Sequence, residues 1–349
     1  MIENLHTDTI KAYHLQDIAS DIGHIPFSIA SEESWLRARQ TGIGGSEIGV
    51  VLGLNEYSSK LELYKRKKAD IDESVKSHDT VYTRKGKALE GFIMDTWVHP
   101  YFYSRNYHVC KPDKIFTRYS TPWILANLDG LAVPKFDSAT KSNIVVEIKW
   151  VSQWATGKWD YSAEYCGIPP SYYAQVQQYM YTVGADNAVV FALFDDVWEC
   201  EVYNIPRNDR FIERIVTESN TFYHNYICMD IPPKPDVRFD KTDIVTALET
   251  LKELSAQTPS VEMGEKLAHY KVLKDNLKDL EKDCTILLNE LVNMYLEGYV
   301  PTGVPLTFKM SKRTTTTIDT KTLRELYPEI AKQCSKTSEY TVHSIKEIK

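Results

Sequence analysis

Helical and strand-like hydrophobic patterns alternate along residues 31 to about 232. The spacing of the apolar positions predicts three short helices, over residues 33–39, 46–54 and 85–98. Runs rich in β-branched and aromatic residues predict three strands, over residues 123–132, 143–151 and 188–203. A further helix is predicted between Pro170 and Gly184, because proline favours a first helical turn and glycine a helix end. The pattern indicates an α/β (α+β) core, with a mixed central sheet flanked by helices.

The composition changes after Pro232-Pro233, where Lys-, Asp- and Leu-rich sequence replaces the aromatic-rich core. Apolar residues then recur at alternating steps of three and four, a heptad pattern: Tyr270, Leu273, Leu277, Leu280, Cys284, Leu287, Leu291 and Met294. A shorter stripe (Ile244, Leu248, Leu251) favours an intramolecular helical hairpin over an intermolecular coiled coil. The predicted division is a core of residues 1–235, a hairpin of 236–300 and a tail of 301–349, with a strand at 306–310 and a helix at 321–334.

The net charge of −7 does not by itself exclude a nucleic-acid partner. A metal-dependent site concentrates carboxylates, and phosphates respond to the local field more than to the total charge. Basic residues do cluster, in three runs: Arg37 and Arg39, residues 65–68, and Arg84, Lys85 and Lys87. A solvated helix face explains any one of these runs equally well.

Several classes of protein are disfavoured by what the sequence lacks. The six cysteines form no CxxC pair and the nine histidines no HExxH group, which argues against zinc, iron–sulfur and metallopeptidase sites. There is no GxxxxGK[ST] phosphate loop. Residues 1–29 carry neither a secretory apolar region nor a membrane span, so a soluble cytoplasmic protein is expected.

The strongest chemical signal is the strand-like sequence Val145-Val146-Glu147-Ile148-Lys149. Side chains alternate along a strand, so Glu147 and Lys149 share one face. An exposed charge pair would produce the same pattern. What favours a site is Asp129, which an adjacent antiparallel strand would bring close to Glu147.

Two carboxylates placed together repel each other unless a cation joins them, so Asp129 and Glu147 predict a hard ion such as Mg²⁺. The backbone carbonyl of Ile148 is a further oxygen ligand in this hypothesis. Phosphodiester hydrolysis uses such an ion together with a nearby ammonium, a role that Lys149 fits. Glu90 lies on a predicted helix, where an exposed glutamate is the ordinary interpretation.

Five motifs occur together in one order along the chain: Trp35-Leu36-Arg37-Ala38-Arg39 with Gly44-Gly45-Ser46-Glu47, Gly86-Lys87-Ala88-Leu89-Glu90, Leu128-Asp129-Gly130, Glu147-Ile148-Lys149, and Tyr173-Ala174-Gln175-Val176-Gln177. Over residues 31 to about 230 the chain resembles the YqaJ-type phage recombination exonucleases, relatives of phage lambda exonuclease in the PD-(D/E)xK superfamily. Leu128 stands where the superfamily pattern has proline. The resemblance implies a restriction-endonuclease-like core.

The resemblance also implies roles for individual residues. Asp129 and Glu147 match metal ligands, and Lys149 matches the residue that supports the attacking water. Glu90 matches the helical acid that completes the site, and Gln175 the glutamine that closes it, although a solvated or core amide is the alternative for Gln175. Two Mg²⁺ ions, or Mn²⁺, are the expected cofactors.

Arg39 and Ser46 match the residues that receive the 5′-terminal phosphate of DNA in this family. Independently of the resemblance, a Ser46 N-cap beside an arginine is typical of an anion site. An ordinary N-cap without a ligand is the alternative.

The function that the resemblance implies is a 5′→3′ exonuclease that resects double-stranded DNA ends to 3′ single-stranded tails. A single-strand annealing recombinase is the expected partner, no membrane is involved, and the family's ring of three subunits is left open for this chain. The rival hypotheses are a structure-selective or restriction-type endonuclease on the same fold, and a non-catalytic DNA-binding or partner-docking protein.

Overall fold

The structure is a computed structural model of the 349-residue chain. It describes residues 21–25, 32–69, 81–135, 142–159, 163–240, 242–244, 260–302, 320 and 325–333. The chain divides into two compact units, residues 1–241 and 242–349. The first unit contains all of the candidate site residues.

The first unit alternates helices and strands, as the hydrophobic pattern predicts. Its early elements are β1 (Ile22–Ile25), α1 (Glu32–Gln40), β2 (Ile43–Gly44), α2 (Gly45–Val51), α3 (Lys60–Lys68), α4 (Val81–Ile93), a π-helical turn (Met94–Val98) and α5 (His99–Tyr103). The strands β3 (Tyr107–Cys110), β4 (Ile115–Arg118), β5 (Thr121–Ala126), β6 (Gly130–Pro134) and β7 (Ile144–Val151) follow. The unit continues with α6 (Pro170–Val183), β8 (Asn187–Phe194), β9 (Glu199–Pro206) and α7 (Asp209–Phe222).

The larger sheet has five strands in the order β3-β6-β7-β8-β9. Strands β7 and β8 run parallel, and the other neighbours are antiparallel. All residues of β8 except Asn187 are buried, because a central strand covered on both faces needs a continuous apolar run. The helix α6 lies between β7 and β8 in the chain, and it provides the crossover connection between these two parallel strands. It ends at Gly184 with a φ of +69°, a left-handed conformation that glycine adopts without strain.

The smaller sheet has four strands in the order β1-β4-β5-β2, with only β2 and β5 parallel. Strand β2 leads directly into α2, which packs against α6. A Cβ atom at Gly45 would lie 2.3 Å from the Tyr179 ring, and one at Gly49 would lie 2.9 Å from Ser171. These two glycines, four residues apart on one helix face, therefore allow the close approach of α2 to α6.

The predicted mixed α/β core is confirmed, and three of its predicted elements are corrected. Residues 123–132 are two strands in different sheets, β5 and β6, because the chain leaves one sheet at Asn127 and enters the other at Gly130. Residues 188–203 are also two strands, β8 and β9, joined by a turn in which Trp198 has a φ of +55°. Polar residues interrupt both runs (Asn127, Asp129, Asp195 and Asp196), but residue types alone do not show that the chain changes sheet at the first place and reverses at the second.

The third correction concerns the helix predicted to start at Ser46. Helix α2 begins at Gly45 with Gly44 as its N-cap, and it ends at Val51. The Gly44 N–H donates to Glu47 Oε2 at 2.7 Å, so the glutamate rather than Ser46 satisfies this end of the helix. Ser46 is free to bond elsewhere.

The second unit contains α8 (Val261–Leu296), whose N-cap Ser260 accepts a hydrogen bond from the Met263 N–H at 3.2 Å. The heptad residues of α8 are exposed in the described part of this unit. A short helix, α9 (Pro328–Gln333), falls within the predicted helix 321–334. Leu248 and Leu251, the strand at 306–310 and residues 1–20 lie outside the described residues, and the predicted domain boundaries stay a prediction. Among the described helices, none has the length and hydropathy of a membrane-spanning segment.

Candidate active site

A cleft of about 950 Å³ opens in the first unit. Its lining includes all of the residues that the sequence singles out as a site: Arg39, Ser46, Glu90, Asp129, Glu147, Ile148, Lys149 and Gln175. They come from α1, α2, α4, the segment between β5 and β6, β7 and α6. Tertiary structure therefore gathers into one cavity residues that are separated by up to 136 positions in the chain.

Asp129 is held beside Glu147 by the pairing of β6 with β7. Gly130 pairs with Val146 in antiparallel register, which places Asp129, one residue earlier, opposite Glu147. The Ile148 N–H donates to Asp129 Oδ2 at 2.9 Å. The carboxylate is thus fixed by the backbone of the strand that carries the second acid.

Glu147, Lys149 and Gln175 form a hydrogen-bonded triangle on one face of β7. The Lys149 Nζ donates to Glu147 Oε1 at 2.6 Å and to Gln175 Oε1 at 3.2 Å. The Gln175 Nε2 donates to Glu147 Oε1 at 2.7 Å. Glu147 is only 2% exposed, so the pair is not the solvated surface contact that the isolated motif allowed.

Burial and mutual repulsion shape the ionisation of the two acids. Burial, and then the charge of Glu147, raise the pKa of Asp129 well above its usual value. Burial also raises the pKa of Glu147, although Lys149 opposes the shift. The pKa of Lys149 is raised in spite of burial, because the Glu147 carboxylate favours the ammonium form. The site has more acid charge than its single lysine neutralises.

Glu90 lies at the edge of the cleft and is engaged by another residue. Its Oε1 forms a short ion pair with the Lys111 Nζ, and its side chain is about a quarter exposed. Its charge contributes to the raised pKa values of both Asp129 and Glu147. The charge of Glu90 therefore acts on Asp129 and Glu147, while its carboxylate is paired with Lys111.

The donor chemistry of the cleft fits a hard divalent cation. Oε2 of Glu147 is buried and has no hydrogen-bond partner among the described residues, which is costly for a carboxylate oxygen unless a cation meets it. Within the described residues, no three acid, histidine or cysteine side chains are gathered as a ready ion cage. The arrangement provides two converging acids, with Glu90 as a third that would first have to leave Lys111.

Arg39 and Ser46 also line the cleft, and their side chains are in direct contact. The Arg39 Nη2 donates to Ser46 Oγ at 3.0 Å, and the guanidinium lies 4.8 Å from the centre of the Trp35 ring. Helix α2 has only seven residues and its first turn contains Glu47, so the positive character of this place comes from Arg39 rather than from a helix N-terminus. The predicted Ser46 N-cap is wrong, but the predicted pair is in direct contact.

A buried ionic cluster stands behind Arg39. Glu47 Oε2 lies 2.7 Å from the Lys67 Nζ, and Glu47 Oε1 lies 3.7 Å from Arg39 Nη2. Lys67 also donates to the Arg39 carbonyl at 2.8 Å. Burial opposes the ionisation of Glu47, but Lys67 and Arg39 outweigh it and lower the pKa of Glu47 to about 2. The cluster fixes both the backbone and the side chain of Arg39.

The basic residues of the three runs lie in different surroundings. Lys67 is buried in the Glu47 cluster, and Lys68 forms an ion pair with Asp230 at 2.6 Å. Lys85 lies 5.1 Å from the centre of the Trp150 ring, and Lys87 lies 6.0 Å from that of Trp35. Only part of the basic sequence is therefore placed near the cleft.

Four residues of the site were missed by the sequence reasoning: Glu47, Lys67, Lys111 and Tyr179. The Tyr179 hydroxyl accepts a hydrogen bond from Gln175 Nε2 at 3.1 Å, and its ring packs against Gly45. Its spacing of four from Gln175 places both on one helix face, a signal that the sequence did contain. Nothing local in the sequence pairs Lys67 with Glu47 or Lys111 with Glu90.

Fold and cleft together define a mixed α/β protein with a buried acidic site beside an arginine–serine pair. Residues 34–186 match the family model of the YqaJ-like viral recombinase domain. The resemblance to the YqaJ family that the five motifs predict is thereby confirmed over this segment.

Similar proteins extend the comparison beyond that segment. The chain is 24% identical over 338 residues to the uncharacterized protein YqaJ of Bacillus subtilis (strain 168), which covers 91% of this chain and 95% of that protein. Two solved structures are also similar: the alkaline exonuclease LHK-Exo from Laribacter hongkongensis (20% identity, TM-score 0.43, 56% of this chain and 93% of that chain) and a phage-related exonuclease from Haemophilus somnus 129PT (15%, 0.33, 54% and 96%).

The unfavourable burial of the Asp129 carboxylate next to Glu147 leads to a prediction on stability. Asp129→Asn keeps an acceptor for the Ile148 N–H but removes a buried charge next to Glu147. In a chelator, the variant is expected to melt roughly 2–4 °C above the wild type, the shift for about 1 kcal/mol in a domain of this size. Added Mg²⁺ should raise the melting temperature of the wild type and not that of the variant.

The exposed Asp113, between β3 and β4, provides the matched control. Asp113→Asn should leave both the melting temperature and its response to Mg²⁺ unchanged. Two outcomes would contradict the role of Asp129 as an ion ligand whose buried charge is unfavourable without the ion. One is a melting temperature of Asp129→Asn below that of the wild type in chelator, and the other is an equal rise of the two melting temperatures in Mg²⁺.

Proposed function

We propose that this chain is a divalent-metal-dependent exonuclease that removes nucleotides from the 5′ ends of double-stranded DNA. The observation that carries the proposal is the convergence of Asp129, Glu147 and Lys149 in one cleft that also contains the Arg39–Ser46 pair. The match to the YqaJ-like viral recombinase domain supports it. No single motif defines this combination.

Asp129 and Glu147 are the residues that would hold the ion, with Glu90 and the Ile148 carbonyl as further oxygen ligands. When bound, a hard divalent ion supplies charge neutralisation and water activation for phosphodiester hydrolysis. The Oε2 atom of Glu147, which has no hydrogen-bond partner in the described part of the chain, is the feature that favours such an ion.

Lys149 and Gln175 position the reacting groups. Lys149 presents an ammonium next to Glu147, where it stabilises the negative charge that develops on the phosphate and orients the attacking water. Gln175 bonds to both Lys149 and Glu147, so it holds the two side chains in one geometry. Because Glu147 is buried, these interactions act with little screening by bulk water.

Arg39 and Ser46 would bind the 5′-terminal phosphate. The guanidinium offers paired N–H donors suited to phosphate oxygens, and the exposed Ser46 hydroxyl adds a donor. A terminal phosphate held here would place the first linkage of the strand near the acids, which fits removal of nucleotides from an end.

The direct test uses linear duplexes labelled at either terminus, with and without Mg²⁺ or Mn²⁺. Early release of the 5′ label, dependent on the ion, is expected, together with a 3′ single-stranded product that an annealing protein could take up. Closed circular DNA should remain intact. Cleavage of the circle would favour an endonuclease on the same fold, and no release from any substrate would leave a DNA-binding role.

The phosphate pocket makes a separate prediction. Arg39→Ala should lower the preference for 5′-phosphorylated over 5′-hydroxyl ends roughly tenfold or more, because a charged hydrogen bond contributes about 1.5–3 kcal/mol. The measurement is kcat/KM on the two substrates. Arg37→Ala is the matched control, since Arg37 lies on the same helix but pairs with Glu33 in solvent at 2.7 Å. Equal loss on both substrates would contradict the assignment of the pocket.

A further inference from the structure

Two large aromatic side chains stand exposed at the cleft that contains the acids. Trp154 is 82% exposed and Tyr57 is 71% exposed, and both line the cleft together with Glu147 and Lys149. Single exposed apolar residues are common on protein surfaces. Two exposed rings in the lining of one charged cleft call for a ligand with an aromatic face.

The segment that presents Trp154 is fixed at both of its ends. It follows β7, and the Ala155 N–H donates to the Ser152 carbonyl at 2.8 Å. A 3-10 turn (Thr156–Lys158) leads to Trp159, whose indole is buried against Tyr172, Phe194 and Tyr203. One tryptophan thus anchors the segment in the core while the other, five residues earlier, faces solvent.

Tyr57 is tied to the same segment. The Lys158 Nζ donates to the Tyr57 hydroxyl at 2.5 Å, lies 4.5 Å from the centre of its ring, and pairs with Glu56. The loop after α2, which follows Ser46, is therefore joined to the segment after β7, which follows Lys149. The two aromatic rings are carried by two connected loops.

A smaller cavity of about 370 Å³ adjoins this place. It shares Tyr57, Ala155 and Tyr172 with the main cleft, and Lys158 and Trp159 are among its other lining residues. The cleft therefore continues from an acidic floor into an aromatic pocket. A nucleic acid strand carries both charged phosphates and flat bases, so it matches a cleft whose lining changes from acidic to aromatic.

We propose that Trp154 and Tyr57 form a stacking subsite for an unpaired nucleobase next to the acidic floor. The inference rests on the proposed function and deepens it, because it names the side chains of this chain that would contact a base of the bound strand. Aromatic rings stack on any base, since every base has a π face, so the subsite carries no sequence preference.

The test uses 2-aminopurine, whose fluorescence is quenched by stacking, in DNA bound to the full-length protein in Ca²⁺ without turnover. One probe has the label on an unpaired 5′-terminal nucleotide, and a second has it on an unpaired 3′-terminal nucleotide of the same duplex. Quenching by the wild type is expected with one of them, and that probe identifies the strand whose base is stacked.

Trp154→Ala should abolish that quenching and weaken binding of the unpaired end about fivefold or more, as expected from loss of one base–aromatic stack. Trp154→Phe should retain both, and Tyr57→Ala should weaken them. Trp198→Ala is the control, because Trp198 is also exposed but lies in the turn between β8 and β9. Circular dichroism checks that each variant is folded.

The subsite is overturned if neither probe is quenched, or if Trp154→Ala behaves as the wild type does. Nucleotide release in Mg²⁺ separates this failure from failure of the proposed function. If the wild type degrades DNA and the Trp154→Ala variant is unaffected, only the subsite is contradicted. If the wild type releases no nucleotide, the exonuclease proposal is contradicted.

Discussion

Glu147→Gln is expected to lower the rate of nucleotide release from a linear duplex roughly a thousandfold, the order of effect for removing a central catalytic group. Among the residues that the structure describes, Glu147 takes part in more interactions of the cleft than any other candidate acid. It accepts hydrogen bonds from Lys149 and Gln175, and its second oxygen has no hydrogen-bond partner there. Glutamine has the same size but carries no charge, so it cannot serve as an anionic ion ligand.

Single-turnover kinetics with excess enzyme would measure this loss free of product release. Glu199→Gln, at the exposed start of β9, is the matched control and should keep full activity. Binding of duplex ends by Glu147→Gln should stay within a few fold of the wild type, because Arg39 and Ser46 are untouched. A variant that released nucleotides at the wild-type rate would refute the assignment of the site.

Gly45→Ala is expected to destabilise the first unit by about 1–3 kcal/mol or more, the cost of overpacking a well-packed interior. The added Cβ would stand 2.3 Å from Tyr179 Cε1, a separation that no relaxed structure accepts. Relief requires α2 to move away from α6, or the Tyr179 ring to leave Gln175. The first movement displaces Ser46 relative to the acids, and the second removes the hydrogen bond between Gln175 and the Tyr179 hydroxyl, so nucleotide release should fall in either case.

Urea denaturation gives the free energy of unfolding for this comparison. Gly91→Ala is the control with the opposite expected sign. Gly91 lies inside α4, and outside the neighbouring backbone of that helix no atom of the described residues lies within 4 Å of an added Cβ. Alanine should therefore stabilise by roughly 0.5–1 kcal/mol through helix propensity. If Gly45→Ala were as stable as the wild type, the close packing of α2 on α6 would not be what holds the cleft together.

The Glu147→Gln and Gly45→Ala variants test two different contributions to the candidate site. Glu147→Gln removes a charged group that the proposed reaction requires, while Gly45→Ala changes the distance between two helices that carry different parts of the candidate site. Tyr179 connects these contributions, since its ring contacts Gly45 and its hydroxyl bonds to Gln175. The packing of α2 on α6 therefore links the segment that carries Ser46 to the helix that carries Gln175.

The sequence was most informative where a residue's neighbours in the chain decide its orientation. The period of two along β7 places Glu147 and Lys149 on one face, and the structure shows their side chains in contact. The proline and glycine at the ends of α6 predict its bounds, and the helix does run from Pro170 to Val183. The order of the five motifs predicts the family, and residues 34–186 match it.

The sequence misled where long-range packing decides the outcome. The polar residues between β5 and β6 indicate an interruption, but they do not show that the chain changes sheets between Asn127 and Gly130. Ser46 has the side chain of a good N-cap, but Glu47 satisfies the Gly44 N–H and Ser46 bonds to Arg39 instead. Lys67 reads as part of a solvated basic run, although it is buried against Glu47.

What the sequence by itself determined is which groups can do chemistry and which local face each one occupies, because backbone periodicity and side-chain type are properties of a few consecutive residues. What only the tertiary structure decided is which of these groups meet. The closeness of Asp129 to Glu147, the pairing of Glu90 with Lys111 and the burial of the Glu47–Lys67 pair depend on contacts between distant segments. Such contacts follow from the packing of whole elements, which no local pattern encodes.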